Sequence, residues 1–85
     1  IVSGSFFVFH YLNQDFPSYA FVVPKKIEKT AVKRNYFRRK GYNILRLYGL
    51  RSYAGIFFYK KEALKASSIE IKKDIDFILK KAKIL

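Results

Sequence analysis

Ala31-Val32-Lys33-Arg34-Asn35-Tyr36-Phe37-Arg38-Arg39-Lys40-Gly41-Tyr42-Asn43-Ile44-Leu45-Arg46-Leu47-Tyr48 is the stretch that decides how this chain folds. At about 100° per residue, Phe37, Gly41, Ile44, Leu45 and Tyr48 fall in one apolar sector, the mark of an amphipathic helix. Asn35, Arg38, Arg39, Tyr42 and Arg46 fall in a polar sector on the far side, with Lys33 and Arg34 leading into it. Gly41 costs about 1 kcal/mol in a helix interior relative to Ala. Its place on the apolar stripe therefore predicts a close approach between the helix and the surface it covers. Gly49 is the expected C-terminal stop.

Outward from this helix the period changes. Gly4 to Leu12 is β-branched and aromatic and reads as a strand, and Tyr19 to Val23 is a second, closed by Pro24. The short Phe16-Pro17-Ser18 turn between them predicts an antiparallel hairpin. On the other side, Tyr53 to Tyr59 is a third strand and Lys60 to Ser67 a connector. Ser67-x-x-Glu70 is a capping box, after which Ile71, Ile75, Ile78, Ala82 and Leu85 recur at helical spacing. Asp74 and Asp76 read as part of a solvated face with Lys72 and Lys73. The order β-β-α-β-α predicts one α+β domain over residues 1–85, a small two-layer sandwich with helices on one face of the sheet.

The strands pose a covering problem. Phe6 and Val8 point opposite to Phe7, Phe9 and Tyr11 on a pleated strand, and Gly55, Phe57 and Tyr59 oppose Ala54, Ile56 and Phe58. Both faces are thus apolar, and two helices cover only one. The second face is a stacking platform for an extended nucleic-acid strand, or the seat of further N-terminal chain. The absence of methionine and the start at Ile1 give the expectation that N-terminal sequence is missing. No apolar run reaches the ~18 residues of a membrane span, and no signal-peptide pattern opens the chain. Zero cysteines exclude disulfides and thiolate metal sites and are compatible with the cytoplasm.

Charge narrows the function. Residues 25–51 carry ten Lys/Arg against Glu28 alone, whereas residues 60–85 set eight lysines against four acids. A solubilising face mixes acids with bases; this one does not, and so calls for a polyanion. Arg grips phosphate oxygens bidentately, Asn reaches a base edge or 2′-hydroxyl, and Tyr42 offers a stacking surface. Lys25 and Lys26, after the strand-ending Pro24, either clamp a phosphate or end the sheet. No catalytic residues are expected: His10 is the only histidine and reads as a half-buried strand residue. Asp74 and Asp76 diverge on a helix, so no metal site is expected, and no nucleophile triad or phosphate-binding glycine loop is present.

Phe21-Val22-Val23-Pro24-Lys25-Lys26 followed by Ala31-Val32-Lys33-Arg34-Asn35-Tyr36-Phe37-Arg38-Arg39 resembles the signature of the bacterial ribonuclease P protein subunit. In that family a strand ends in a Lys-Lys pair and the next helix carries an Arg-Asn-Arg motif followed by further basic residues. Arg34 and Asn35 match the first two motif positions and Arg38-Arg39 the basic pair, while Tyr36 stands at the third motif position. The resemblance implies a fold like the second domain of ribosomal protein S5, with a left-handed βαβ crossover and a further N-terminal helix that is absent here. It also implies a cytoplasmic protein whose partners are the catalytic RNA and the single-stranded 5′ leader of precursor tRNA. RNA-binding residues would be Lys25, Lys26, Lys33, Arg34, Asn35, Arg38, Arg39, Tyr42 and Arg46. The RNA subunit would carry out hydrolysis and hold the Mg²⁺, with none bound by the protein alone. No membrane and no obligate protein partner would be involved. The alternatives are a ribosomal or other structural-RNA-binding protein with no role in cleavage, association with an anionic membrane or acidic protein, and a free-standing nuclease.

Overall fold

A computed structural model describes residues 1–85. Two short strands open the chain, β1 (Val2–Ser3) and β2 (Phe7–Leu12), followed by β3 (Ser18–Val22), α1 (Ala31–Leu45), β4 (Ala54–Tyr59) and α2 (Ser68–Lys81). Single 3₁₀ turns extend α1 through Arg46–Tyr48 and fill the connector at Lys61–Lys65. The four strands form one mixed sheet in the order β1-β2-β4-β3.

The expected hairpin between the second and third strands does not form. β4 lies between them, antiparallel to β2 and parallel to β3. The residues linking β2 to β3 must therefore cross two strand spacings of about 4.8 Å each, well within the reach of an extended chain. The loop closes on the start of β4: Tyr53 donates its N–H to the Gln14 carbonyl at 2.9 Å, and its own carbonyl accepts the Ser18 N–H at 3.1 Å. Phe57 explains why the centre belongs to β4. It pairs with Phe9 on one side and Phe21 on the other, and its ring stacks on both, at 4.2 and 4.8 Å between centroids. A β2–β3 hairpin would forgo one of those stacks.

The helices cover one face. Phe7, Phe9 and Phe57 from the sheet and Ile71, Ile75, Ile78 and Leu79 from α2 are fully buried, each worth roughly 1.5–3 kcal/mol relative to exposure. The capping box at the start of α2 is formed: Ser67 Oγ accepts the Glu70 N–H and Glu70 Oε1 accepts the Ser67 N–H. Its stripe differs from expectation at three positions. Leu85 is half exposed, Leu79 is fully buried, and Asp74 is buried rather than solvated. Asp74 lies three residues from Ile71 and four from Ile78, on the packed side of α2, where its carboxylate accepts the N–H groups of Ser5 and Phe6 at 2.8 and 2.9 Å. Two partly buried backbone donors in the β1–β2 turn are satisfied by one helix residue.

On α1, Gly41, Ile44 and Leu45 are buried as the spacing predicts, while Phe37 and Tyr48 are half-buried. Gly41 does approach the sheet closely. A Cβ built there meets the Phe21 ring at 2.6–2.9 Å. That ring is pinned by its stack on Phe57 and its edge contact with Tyr42. Gly41→Ala should gain about 1 kcal/mol of helix propensity and lose about 1–3 to overpacking. The expected outcome is a lower urea midpoint, partly restored when Phe21→Leu is added.

Candidate nucleic-acid interface

The start of α1 is built against its own stability. Its first turn holds Lys33 and Arg34 and no acid, and Thr30, at the N-cap, makes no side-chain capping bond. Positive charge there opposes the helix dipole, at a cost of some tenths of a kcal/mol per residue. By contrast, α2 has its capping box and Lys80 and Lys81 in the last turn. The basic residues of α1 are therefore placed for something other than helix stability.

Arg34 is half spoken for. Its Nη1 donates to the Glu28 and Lys29 carbonyls at 3.0 and 2.7 Å, tying the incoming loop to the helix. Its other guanidinium nitrogens make no hydrogen bond to the protein. Asn35 and Arg38 sit one turn apart and bond to each other, the amide oxygen accepting from the guanidinium. Arg39 and Arg46 are exposed, and Arg46 lines a depression of about 320 Å³ with Tyr19, Tyr42 and Leu50. Tyr42 is drawn toward the sheet, its hydroxyl accepting the Phe21 N–H at 3.3 Å. It thereby satisfies a free donor on the β3 edge, and 38% of it remains exposed. Asn35, Arg38, Arg39, Tyr42 and Arg46 thus share one side of the helix. Lys33 does not join them; it lines a separate depression facing Lys61 and Lys65. Lys25 and Lys26 sit exposed in a turn whose Pro24 carbonyl accepts the Ile27 and Glu28 N–H groups at 3.1 and 3.2 Å.

A second surface is the sheet face away from the helices. Leu12 is 60% and Ile56 38% exposed there, beside Val8, Ala54 and Phe58, whereas Phe6, expected on this face, precedes β2 and packs toward α2 beside Asp74 and Phe77. His10, expected half-buried, is exposed on this face, its ring set edge-on to Phe58 at 5.1 Å. A charged helix and an open apolar sheet face provide the two kinds of contact that single-stranded RNA uses, phosphate neutralisation and base stacking.

The profile of one family, Ribonuclease P, matches residues 1–83, nearly the whole chain. The chain belongs to the ribonuclease P protein family. Its place is accordingly in tRNA processing, and the sequence resemblance is borne out. No curated protein matches the chain by sequence. Among solved structures the fold is similar to the RNase P protein of Staphylococcus aureus, with a TM-score of 0.84 and 23% identity over 98% of this chain and 80% of that one. The RNase P protein of Thermotoga maritima is similar too, with a TM-score of 0.81 and 18% identity over 94% of this chain and 80% of that one. The two-layer α/β architecture expected from the sequence is the ribonuclease P protein fold.

No group of three or more His, Cys, Asp or Glu side chains comes together in this family member, and no helix is long and apolar enough to cross a membrane. Among the carboxylates, Asp76 is held below its usual range by Lys80 at 2.9 Å and by the Tyr48 hydroxyl. Tyr48 in turn is pushed up to about 12, first by burial and then by its 3.1 Å bond to Asp76. A raised folded value means the neutral hydroxyl stabilises the fold fully below the unfolded value of about 10, and that this contribution is lost between about pH 10 and 12. Urea titrations across that range should show a shallower fall in stability for Tyr48→Phe than for the parent chain. Burial raises Tyr59 as well, so a residual fall should persist.

The residues that sequence reasoning passed over are Tyr36, Asn43, Lys61 and Lys65. Tyr36 stands at the third motif position, and it is 59% exposed between two basic depressions. Lys61 and Lys65 lie in the segment read as a mere connector. Its Lys-x₃-Lys spacing, followed by the capping box, was the available signal.

Proposed function

We propose that this chain is the RNA-binding subunit of a cytoplasmic ribonuclease P, holding the catalytic RNA along α1 and the single-stranded 5′ leader of precursor tRNA across the open sheet face. The observation that carries this reading is the acid-free sector of Asn35, Arg38, Arg39 and Arg46 on a helix whose charge opposes its own dipole. Guanidinium groups on successive turns meet successive phosphates, and each neutralised phosphate releases condensed counterions. Lys25, Lys26, Lys33 and the free donors of Arg34 extend the same field around the start of the helix. Leu12, Ile56 and Phe58 provide apolar contact for leader bases.

Hydrolysis belongs to the RNA partner, which holds the Mg²⁺ that activates water. The protein's residues bind and orient, reducing the Mg²⁺ needed to keep two polyanions together. The test is leader removal from precursor tRNA by a bacterial ribonuclease P RNA, with and without this chain, over a Mg²⁺ series. Faster cleavage at low Mg²⁺ is expected. RNA binding with no gain in cleavage at any Mg²⁺ concentration would instead make it a structural-RNA protein.

A further inference from the structure

Tyr36 stands where the first turns of α1 face the 3₁₀ segment Lys61–Lys65. On one side of its ring lies an open depression of about 520 Å³ lined by Lys33, Lys61 and Lys65 over a floor of Ile27, Phe37 and Leu64. On its other side a second depression of about 320 Å³ is lined by Arg39, Lys40, Asn43 and Ser68. Each is within the range of roughly 300–1,000 Å³ spanned by ligand sites. The ring is braced against Phe37, edge to face at 5.3 Å, and otherwise projects into solvent.

The charge in the groove is one-sided. Glu28 is the only acid lining either depression, and its Oε2 is occupied by the Thr30 N–H at 3.1 Å. Lys40 is tied to the Ala66 carbonyl at 3.3 Å, which fixes the spacing between α1 and the start of α2. Lys33, Lys61, Lys65 and Arg39 make no hydrogen bond or salt bridge to the protein. A braced, exposed aromatic ring between unpaired cations is the arrangement that holds a base by its face and its flanking phosphates by charge.

We propose that this groove is a second RNA site, taking an unpaired nucleotide whose base stacks on Tyr36 and whose flanking phosphates are held by Lys33, Lys61 and Lys65 on one side and Arg39 on the other. It adjoins the arginine sector, sharing Arg39 with it, and is separate from the open sheet face, and its RNA ligand rests on the function proposed above.

The experiment uses fluorescently labelled single-stranded hexaadenylate and the full chain, read by anisotropy over a salt series. Tyr36→Ala should bind about tenfold more weakly, while Tyr36→Phe keeps its affinity because the ring is retained. The pair Lys61→Gln and Lys65→Gln should lower the salt slope by about 1.4, two counterions at about 0.7 each. Ultraviolet crosslinking of the parent chain should leave a nucleotide adduct on the tryptic peptide Asn35–Arg38. Full affinity in Tyr36→Ala, or displacement of hexaadenylate by polyglutamate equally from parent and variant, overturns the site. The cleavage assay separates this from the earlier reading. Stimulated cleavage together with an unaffected Tyr36→Ala sinks the groove alone. A tenfold loss in Tyr36→Ala without any stimulation sinks the ribonuclease P role and leaves the groove standing.

Discussion

Replacing Arg38, Arg39 and Arg46 together with alanine is expected to weaken binding to a bacterial ribonuclease P RNA by on the order of a hundredfold or more, with the fold intact. Each arginine on a phosphate is worth about 1–3 kcal/mol, and the three lie on one side of α1, Arg39 and Arg46 exposed and Arg38 half-buried. Their only protein hydrogen bond is the one between Arg38 and Asn35. Nothing in the core depends on them, so far-ultraviolet circular dichroism and the urea midpoint should hardly move. The salt dependence should fall with the affinity, by about 2–3 in slope for three lost phosphate contacts. Filter binding over a salt series checks both. An unchanged affinity and slope would remove α1 from the RNA interface. Arg34→Ala is a different experiment. Because Arg34 anchors the Glu28 and Lys29 carbonyls, its loss should cost stability and affinity together, and the midpoint must be measured before any binding effect is attributed to contact.

Asp74→Ala is expected to cost about 2–4 kcal/mol, on the scale of truncating one of the buried isoleucines beside it. Asp74 is 7% exposed, and its carboxylate satisfies two backbone donors from a turn about 70 positions earlier in the chain. Removing it strands both donors, and bonds to a charged acceptor are the stronger kind. Asp74→Asn keeps one acceptor oxygen and should recover part of the loss. Urea unfolding of the three chains checks the order parent, Asn, Ala. An alanine variant as stable as the parent would mean that water replaces the carboxylate at no cost.

What the sequence disclosed and what it hid divide along one physical line. The capping box at Ser67 and Glu70 and the buried stripe of α1 are local, set by residues three or four apart, and both are present as read. Strand pairing is not local. Nothing in Gly4–Val23 shows that a strand beginning at Ala54 will separate its two halves; only the stacking of Phe57 between Phe9 and Phe21 decides it. Asp74 departs from its expected solvated place for another reason. Its helical position places it on the apolar stripe, but its charge argued for solvent, and the backbone donors that outweigh that argument lie at Ser5 and Phe6. On the interface, the arginine sector was legible because it lies on one element. The Tyr36 groove was not, because half of it comes from Lys61 and Lys65, which reach α1 only once the sheet has formed.

The place of β4 has a consequence for the chain's birth. The strand that both β2 and β3 need as a neighbour is the last of the four to leave the ribosome. Until Tyr59 has emerged, Phe7 and Phe9 have only the two-residue β1 beside them and Phe21 has no neighbouring strand, and pairing with β4 requires closure of long loops. Such aromatic strand edges are liable to pair with other chains. The nascent segment holding them is followed directly by its most highly charged stretch, whose mutual repulsion keeps neighbouring chains apart during that interval. The basic helix would then act twice: first as a guard against aggregation while the sheet is unfinished, and later as a grip on RNA.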